Sequence, residues 1–172
     1  MTVYSIWDQA AESIATASFT GTLATDFSLA QAGALTGIWM YSPAGITTLP
    51  AACAIYDVVS ATAVAGTVNS SPSWSGAAGS GWIKCSYGGA VTLNAAQNYA
   101  VAVYYNATVA YLLYTWPVTS GIITATASAY DIGGALTYPE TNAGAYTYWV
   151  DVELTVTPPP APTIVYCMRT FP

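Results

Sequence analysis

The side chains with the clearest capacity for chemistry are carboxylates near the end of the chain. Asp151 and Glu153 share one face of a predicted strand, and Asp131 and Glu140 lie in the segment before it. Glycoside hydrolysis requires a pair of carboxyl groups, one as acid and the other as base or nucleophile. The chain has no histidine, which excludes Ser–His and Cys–His nucleophile arrangements. We expect Asp151 and Glu153 to be solvated residues on an outer face, and we predict no catalytic residue.

Oxygen ligands for a cation are the next candidates. Asp131, Glu140 and Asp57, together with loop carbonyls, are ligand types that Ca²⁺ prefers. Their spacing has no EF-hand pattern and no repeated Asp motif. The sequence therefore predicts no metal site and no cofactor.

The three cysteines lack the close C-x-x-C spacing of zinc and redox sites. We expect Cys53, Cys85 and Cys167 to be buried free thiols, because an unpaired cysteine commonly packs as a small apolar side chain. The alternative is a disulfide between Cys53 and Cys85, which requires the strands that carry them to be neighbours.

Aromatic side chains give the main indication of binding, since the chain has six Trp and fourteen Tyr. Aromatic faces stack on sugar rings and supply much of the contact energy at protein interfaces. Most are expected in the core or in cross-strand pairs. Four lie in predicted loops or on a polar strand face and are the predicted glycan or partner contacts: Trp74, Trp116, Tyr138 and Trp149.

Short stretches rich in Val, Ile, Thr, Tyr and Trp recur between Gly, Pro, Ser and Asn clusters, and no window has helical periodicity. The pattern predicts an all-β, two-sheet antiparallel β-sandwich, either jelly-roll or immunoglobulin-like. Strands are predicted near residues 14–19, 23–30, 35–41, 52–58, 81–87, 90–94, 98–105, 109–116 and 145–157. The long connections 65–80 and 117–144 are predicted interaction loops.

The last predicted strand has the clearest alternation. Its core face is expected to carry Tyr146, Tyr148, Val150, Val152, Leu154 and Val156. The opposite face is polar apart from Trp149, which is therefore expected to point outwards. In the 98–105 strand, small alanines alternate with larger apolar residues, so both of its faces are expected to be covered.

The sequence divides into a sandwich domain over 1–157, a Pro-rich linker over 158–162 and a C-terminal tail over 163–172. Consecutive prolines favour a stiff polyproline II spacer. The tail is apolar and is expected to dock, most simply on another chain, through Ile164, Val165, Tyr166, Met168 and Phe171.

Charge is scarce: eight carboxylates face only Lys84 and Arg169, for a net charge of -6. No basic stripe exists to neutralise phosphates, which argues against nucleic-acid binding. No apolar run reaches the length needed to cross a bilayer, so membrane insertion is not expected. Residues 1–8 lack the basic and apolar regions of a secretory signal. Yet the composition is typical of an extracellular protein.

An ordered series of short motifs resembles the domain-of-unknown-function family 4082, over roughly residues 5–155. The motifs are 33–41 (GALTGIWMY), 54–56 (AIY), 81–82 (GW), 91–105 and 148–152 (YWVDV). The opening aromatic of that family is matched by Trp7, whereas Ala24 replaces a glycine and Trp39 stands where a basic residue is frequent. The resemblance implies a sandwich module of bacterial surface or secreted proteins with an adhesive or glycan-facing role. It carries over no catalytic residues.

The combination of an extracellular composition and no export signal is explained by a bacteriophage virion protein, made in the host cytoplasm and released by lysis. The leading hypothesis is a non-enzymatic structural or adhesive component: a minor tail, tail-tip or capsid decoration protein. Its partners would be copies of itself, other virion subunits and a host surface glycan. The alternative is a carbohydrate-binding module that recognises cell-surface or cell-wall glycan.

Overall fold

The computed structural model describes residues 1–10 and 14–157, and these residues form antiparallel β-strands. The strands are β1 (Thr2–Tyr4), β2 (Ala15–Leu29), β3 (Gly33–Ser42), β4 (Ala52–Asp57), β5 (Thr62–Ala63), β6 (Gly81–Ser86), β7 (Thr92–Leu93), β8 (Asn98–Leu113), β9 (Val118–Ser120), β10 (Ile123–Ile132), β11 (Thr141–Asn142), β12 (Tyr146–Thr147) and β13 (Val150–Val156).

The strands form two sheets. The small sheet has the order β1-β13-β3-β6, with β7 also paired to β3. The large sheet has the order β11-β10-β2-β8-β4-β5, with β12 on β8 and β9 on β10. The predicted all-β, two-sheet antiparallel sandwich is confirmed. Within the described part of the chain, no helix is long and apolar enough to cross a membrane.

The core lies between the two sheets and follows strand alternation. Leu23 and Phe27 of β2 stand opposite Val103 and Tyr99 of β8, and all four are buried. The small sheet contributes a facing row of fully buried aliphatic residues: Leu35, Ile38, Ile83, Val150, Val152 and Leu154. Side chains on one face of each strand thus meet those of the other sheet, as expected for a sandwich.

The central strands of the large sheet are longer than predicted. β2 and β8 pair without a break from Ala15 opposite Tyr111 to Ser28 opposite Asn98. The sequence pattern had divided each of them into two shorter strands, around Gly21 and Asn106. Because backbone pairing continues through these residues, the two strands form one long ribbon. In its far part the β2 residues 15–19 are exposed or half-buried, whereas Val109 and Ala110 of β8 are buried.

The outer face of the large sheet carries a second, smaller apolar cluster. Alanines of β2, β4 and β8 are fully buried there, and Leu136 and Tyr138 of the following connection pack over the cluster. The prediction that both faces of the 98–105 strand are covered is confirmed for Ala100 and Ala102, which have no solvent exposure.

The connection 117–144 was predicted as a loop, and this prediction is wrong for much of its length. Strands β9 and β10 lie within it, and β10 pairs with β2 along most of the large sheet. Alanine, threonine and serine dominate β10, so it lacks the bulky alternation that marks a strand in sequence. In contrast, no strand is assigned within 65–80 beyond single bridges at Asn69 and Trp74.

The predicted strand 145–157 is interrupted. Trp149 has a φ of 55°, a left-handed conformation that separates β12 from β13. The core positions from Val150 to Val156 are buried as predicted. Two other predictions are wrong, since Trp149 is 3% exposed and points inwards, whereas Tyr146 is 42% exposed. Because of this break, Tyr146 faces solvent and Trp149 faces the core, which is the reverse of what strict alternation predicted.

The predicted linker 158–162 and tail 163–172 lie outside the described residues, as does Cys167. The same holds for the predicted docking residues of the tail, Ile164, Val165, Tyr166, Met168 and Phe171.

Candidate functional site

A buried carboxylate fixes the N-terminal segment against the small sheet. Asp151 of β13 accepts hydrogen bonds from the backbone N–H of Ile6 at 2.7 Å and of Trp7 at 3.1 Å. The side-chain amide of Gln9 donates to the same carboxylate at 2.8 Å. Asp151 has no solvent exposure, so the prediction that it is a solvated outer-face residue is wrong. The N-terminal segment covers Asp151 on β13, and no local sequence pattern could predict this cover.

The electrostatics of Asp151 fit an anchor rather than a catalyst. Burial raises its pKa to about 7, while the N–H donors of Ile6, Trp7, Val152 and Gln9 act in the opposite direction. Hydrogen bonds to the charged form favour it, and loss of water disfavours it. All of these donors belong to the protein itself, so the carboxylate serves to hold the segment in place.

Glu153 is held in a separate polar network. Its carboxylate lies 2.5 Å from the Nζ of Lys84 and accepts hydrogen bonds from Thr36 Oγ1 at 2.8 Å and Trp39 Nε1 at 3.1 Å. Burial raises the pKa of Glu153, but these donors outweigh it and hold the pKa below the ordinary value. The prediction that Glu153 is simply solvated is wrong, because it is ion-paired.

The four carboxylates considered for glycoside hydrolysis do not come together. Asp151 and Glu153 lie on the small sheet, whereas Asp131 belongs to β10 of the large sheet and accepts a hydrogen bond from Thr137. Glu140 acts electrostatically on Tyr138, over the outer face of the large sheet. Across residues 1–10 and 14–157, no group of three or more Cys, Asp or Glu is placed to hold a metal ion.

Four aromatic rings meet where the N-terminal segment crosses the end of the sandwich. We call Trp7, Tyr114, Trp116 and Trp149 the tryptophan cluster. The ring of Trp7 lies 5.0 Å from Tyr114, 5.0 Å from Trp149 and 6.0 Å from Trp116, each in an edge-to-face arrangement. Tyr114 and Trp116 are 5.3 Å apart. The cluster is assembled by Asp151, since that carboxylate positions Trp7.

Three members of the tryptophan cluster, Trp7, Tyr114 and Trp149, line an open groove of about 330 Å³ together with Ile6, Asp8 and Val118, and Trp116 packs behind it against Trp7. Asp8 is exposed at its edge. The indole N–H groups of Trp116 and Trp149 are buried and have no hydrogen-bond partner among the described residues. Apolar ring surfaces beside an exposed carboxylate are groups that bind a sugar, which offers C–H faces and hydroxyls.

A second groove adjoins the first. It is lined by Gln9, Tyr41, Trp82 and the 79–81 turn and has a volume of about 420 Å³. The ring of Trp82 lies 6.5 Å from that of Trp149 and 5.5 Å from that of Tyr41. Aromatic contacts therefore run without interruption from one groove to the next.

No family model, curated protein or solved structure matches this chain. The resemblance to family 4082 therefore stays a prediction from the motifs. The sandwich fold and the aromatic grooves are the observations on which function can be argued.

The four predicted contact residues fall into two groups. Trp116 and Trp149 both belong to the tryptophan cluster. Trp74 is elsewhere, half-buried, with its indole donating to the Pro50 carbonyl at 2.9 Å. Tyr138 is half-buried against Tyr56, with ring centroids 5.8 Å apart. The structure thus brings two of the four together.

Trp7 and Tyr114 were missed as contact residues in the sequence. In the sequence, Trp7 matched only the opening aromatic residue of the family resemblance. Its backbone hydrogen bond to Asp151 joins residues more than a hundred positions apart. The only local signal was the density of aromatics at Tyr114 and Trp116, on either side of a threonine.

The ribbon of β2 and β8 carries another aromatic surface. We call Ala17, Phe19, Tyr111, Tyr146 and Tyr148 the overhang. Together with Ser18 and Val109 they line an open groove of about 300 Å³. The rings of Tyr111 and Tyr146 are 5.6 Å apart. Every residue that lines this groove is uncharged, which is typical of the centre of a protein interface.

Proposed function

We propose that this chain is a non-enzymatic structural or adhesive module that assembles with neighbouring subunits through the overhang. The observation that carries the proposal is the incompletely covered inner face of the β2–β8 ribbon, where Ala17 is exposed and Phe19 half-buried although Val109 is buried. Ala17 and Phe19 stand opposite Val109 and Ala107 in the same register that places Leu23 opposite Val103. The overhang therefore continues the face that forms the core.

Burial along this face changes gradually. Leu23 is fully buried, Phe19 is half-buried and Ala17 is exposed. A protein that stayed monomeric would leave Phe19 and the tyrosines of the overhang in contact with water. Covering them with a second protein surface removes apolar area from water, which is favourable. Tyrosine suits such a contact because its ring is apolar and its hydroxyl forms hydrogen bonds.

The scarcity of charge supports the same proposal. With ten charged side chains in 172 residues, the surface has few groups that favour full hydration. Obligate interfaces are depleted in charge and enriched in aromatic residues. We place the module in a bacteriophage virion, as a minor tail, tail-tip or capsid decoration protein whose partners are its own copies and other virion subunits. The family resemblance supports an adhesive sandwich.

The test is the oligomeric mass of the purified protein by light scattering. Phe19→Glu and Tyr146→Glu should each shift the protein to a monomer, because they place a carboxylate in the overhang. Val59→Glu is the matched control: Val59 is apolar and 87% exposed on another part of the surface, so its change should leave the oligomer intact. A wild-type protein that is monomeric at high concentration would contradict the proposal.

The predicted role of the C-terminal tail has its own test. Deletion of residues 158–172 should abolish assembly and spare the fold if the tail docks on another copy. An oligomer that is unchanged by the deletion would assign assembly to the overhang alone.

A second candidate function is binding of a cell-surface or cell-wall glycan at the tryptophan cluster. The observation that favours it is the groove in which the rings of Trp7, Tyr114 and Trp149 lie beside the exposed carboxylate of Asp8. A sugar would stack on the rings and place hydroxyls against the polar groups. Both functions can belong to one protein that attaches a particle to its host.

Retention on insoluble polysaccharides and on a glycan array tests this candidate. Asp8→Ala removes the carboxylate at the edge of the groove, and Trp116→Phe replaces the ring that packs against Trp7 in its lining, so each should weaken retention. Trp74→Phe is the matched control, since Trp74 lies outside the cluster and its indole already has a partner. Equal retention of all three variants, or no retention of the wild type, would reject glycan binding at this site.

A further inference from the structure

Two buried thiols lie on either side of a segment that bridges the two sheets. Cys53 lies on β4 of the large sheet and Cys85 on β6 of the small sheet. Both are free, both are buried, and both belong to the main core cluster. They are thus carried by strands of different sheets, so a bond between them would join the two sheets.

A short segment holds the two edges together. Asn69 exchanges both backbone hydrogen bonds with Cys53, at 2.9 Å and 2.8 Å, and its side-chain amide donates to Cys85 Sγ at 3.4 Å. Five residues later, Trp74 pairs with Cys85 itself. One short segment therefore bridges the strand of each sheet that carries a cysteine.

Cys53 contacts a tyrosine, and each thiol affects the pKa of the other. Cys53 Sγ lies 3.4 Å from the hydroxyl of Tyr87, which donates its proton to the Thr67 carbonyl at 2.6 Å. Hydrogen bonding with Cys53, and then with Asn69, lowers the pKa of Cys85 to about 7, although burial acts against it. The neighbouring Cys85, followed by burial, raises the pKa of Cys53. Because the Asn69 amide donates to Cys85 Sγ and so favours a thiolate there, we take Cys85 as the attacking sulfur.

We propose that Cys53 and Cys85 form a disulfide that joins the two sheets when the protein meets a small peroxide oxidant. The Cys85 thiolate attacks one peroxide oxygen, the O–O bond breaks and hydroxide leaves, which gives a sulfenic acid. The sulfur of Cys53 then attacks Cys85, the S–O bond breaks and water leaves. Two thiols and one hydrogen peroxide become one disulfide and two waters.

The proposal is independent of assembly and of glycan binding. The bond would close a loop from residue 53 to residue 85 and tie the sheet edges covalently. Such a crosslink restricts the unfolded chain and so stabilises the folded one. The protein would be reduced where it is synthesised and locked after it enters an oxidising environment.

The test uses Cys167→Ser, which leaves only the two thiols of interest. The folded protein is treated with hydrogen peroxide, quenched, and measured by intact mass spectrometry and by maleimide labelling after denaturation. We expect a loss of about two mass units, no labelled thiol, and a melting temperature higher by about 10 °C, reversed by a dithiol reductant. Cys85→Ser in the same background is the control and should show neither change.

Several results would overturn the proposal. One is that both thiols still react with maleimide after peroxide treatment. Another is that the thiols are lost because disulfides form between two chains. A third is that one cysteine is oxidised to sulfinic acid. A crosslinked monomer that melts no higher than the reduced protein would also overturn it. If Cys167→Ser does not fold, peptide mapping of the wild-type chain gives the same answer, because a linked pair of peptides identifies the two cysteines directly.

Discussion

Substitution of Asp26 by asparagine should change how the stability of the protein depends on pH. Asp26 lies on β2 and stands opposite Ala100 of β8. Its Oδ1 is buried without a hydrogen-bond partner among the described residues, and burial raises its pKa from 3.8 to about 6. A carboxyl group in this position is more easily charged in the unfolded chain than in the folded one.

The sign follows from proton linkage. Since the folded-state pKa is the higher of the two, the stabilising contribution of Asp26 is complete below its unfolded pKa and is lost as the pH rises through about 6. About two pKa units correspond to about 3 kcal/mol at most. Asp26 keeps some contact with solvent, so we expect about 1–2 kcal/mol between about pH 4 and pH 8.

Urea unfolding of the wild type and Asp26→Asn at these two pH values measures the effect. The wild type should lose free energy of unfolding as the pH rises, and Asp26→Asn should lose about 1–2 kcal/mol less over the same interval. The comparison between variants is needed because burial raises the pKa of Asp151 to about 7, which gives a slope of the same sign in both proteins. Identical slopes for the two proteins would refute the reasoning.

Two further predictions concern the framework of the sandwich. Asp151→Ala leaves buried N–H groups of the N-terminal segment without an acceptor and should cost about 3–4 kcal/mol in urea unfolding; a loss below about 1 kcal/mol would show that the segment is not anchored there. Gly21→Ala should destabilise by more than about 2 kcal/mol, because Gly21 has a φ of +154° and an added Cβ would lie 1.9 Å from the Asp131 carbonyl oxygen. Gly133→Ala, where nothing lies within 4 Å, is the control and should change stability little.

Part of the fold could be predicted from local pattern. Alternation of Val150, Val152, Leu154 and Val156 placed one face of β13 in the core, because side-chain direction in a strand repeats every two residues. The same logic failed at Trp149, whose left-handed backbone breaks the repeat. Alternation also failed to predict β10, because its small side chains give no strand pattern in the sequence. Pairing with β2 nevertheless makes this segment a strand.

The candidate site was less predictable than the fold. An excess of tryptophan and tyrosine indicated a binding surface, and two of the four predicted contacts, Trp116 and Trp149, do lie in the tryptophan cluster. Its assembly depends on the hydrogen bonds from Ile6 and Trp7 to Asp151, across more than a hundred residues. No local pattern contains such a contact, so the carboxylate was read as a solvated surface group.

The sequence by itself determined the class of structure and excluded whole classes of chemistry. Strand periodicity requires sheets with one buried face, and the absence of histidine excludes the common nucleophile arrangements. Only the tertiary structure decided which side chains meet, such as Asp151 with the chain start and Cys53 with Tyr87. The physical reason is that these contacts form only when the chain packs. Packing brings together residues that are far apart in the sequence, and hydrophobic periodicity reports only on near neighbours.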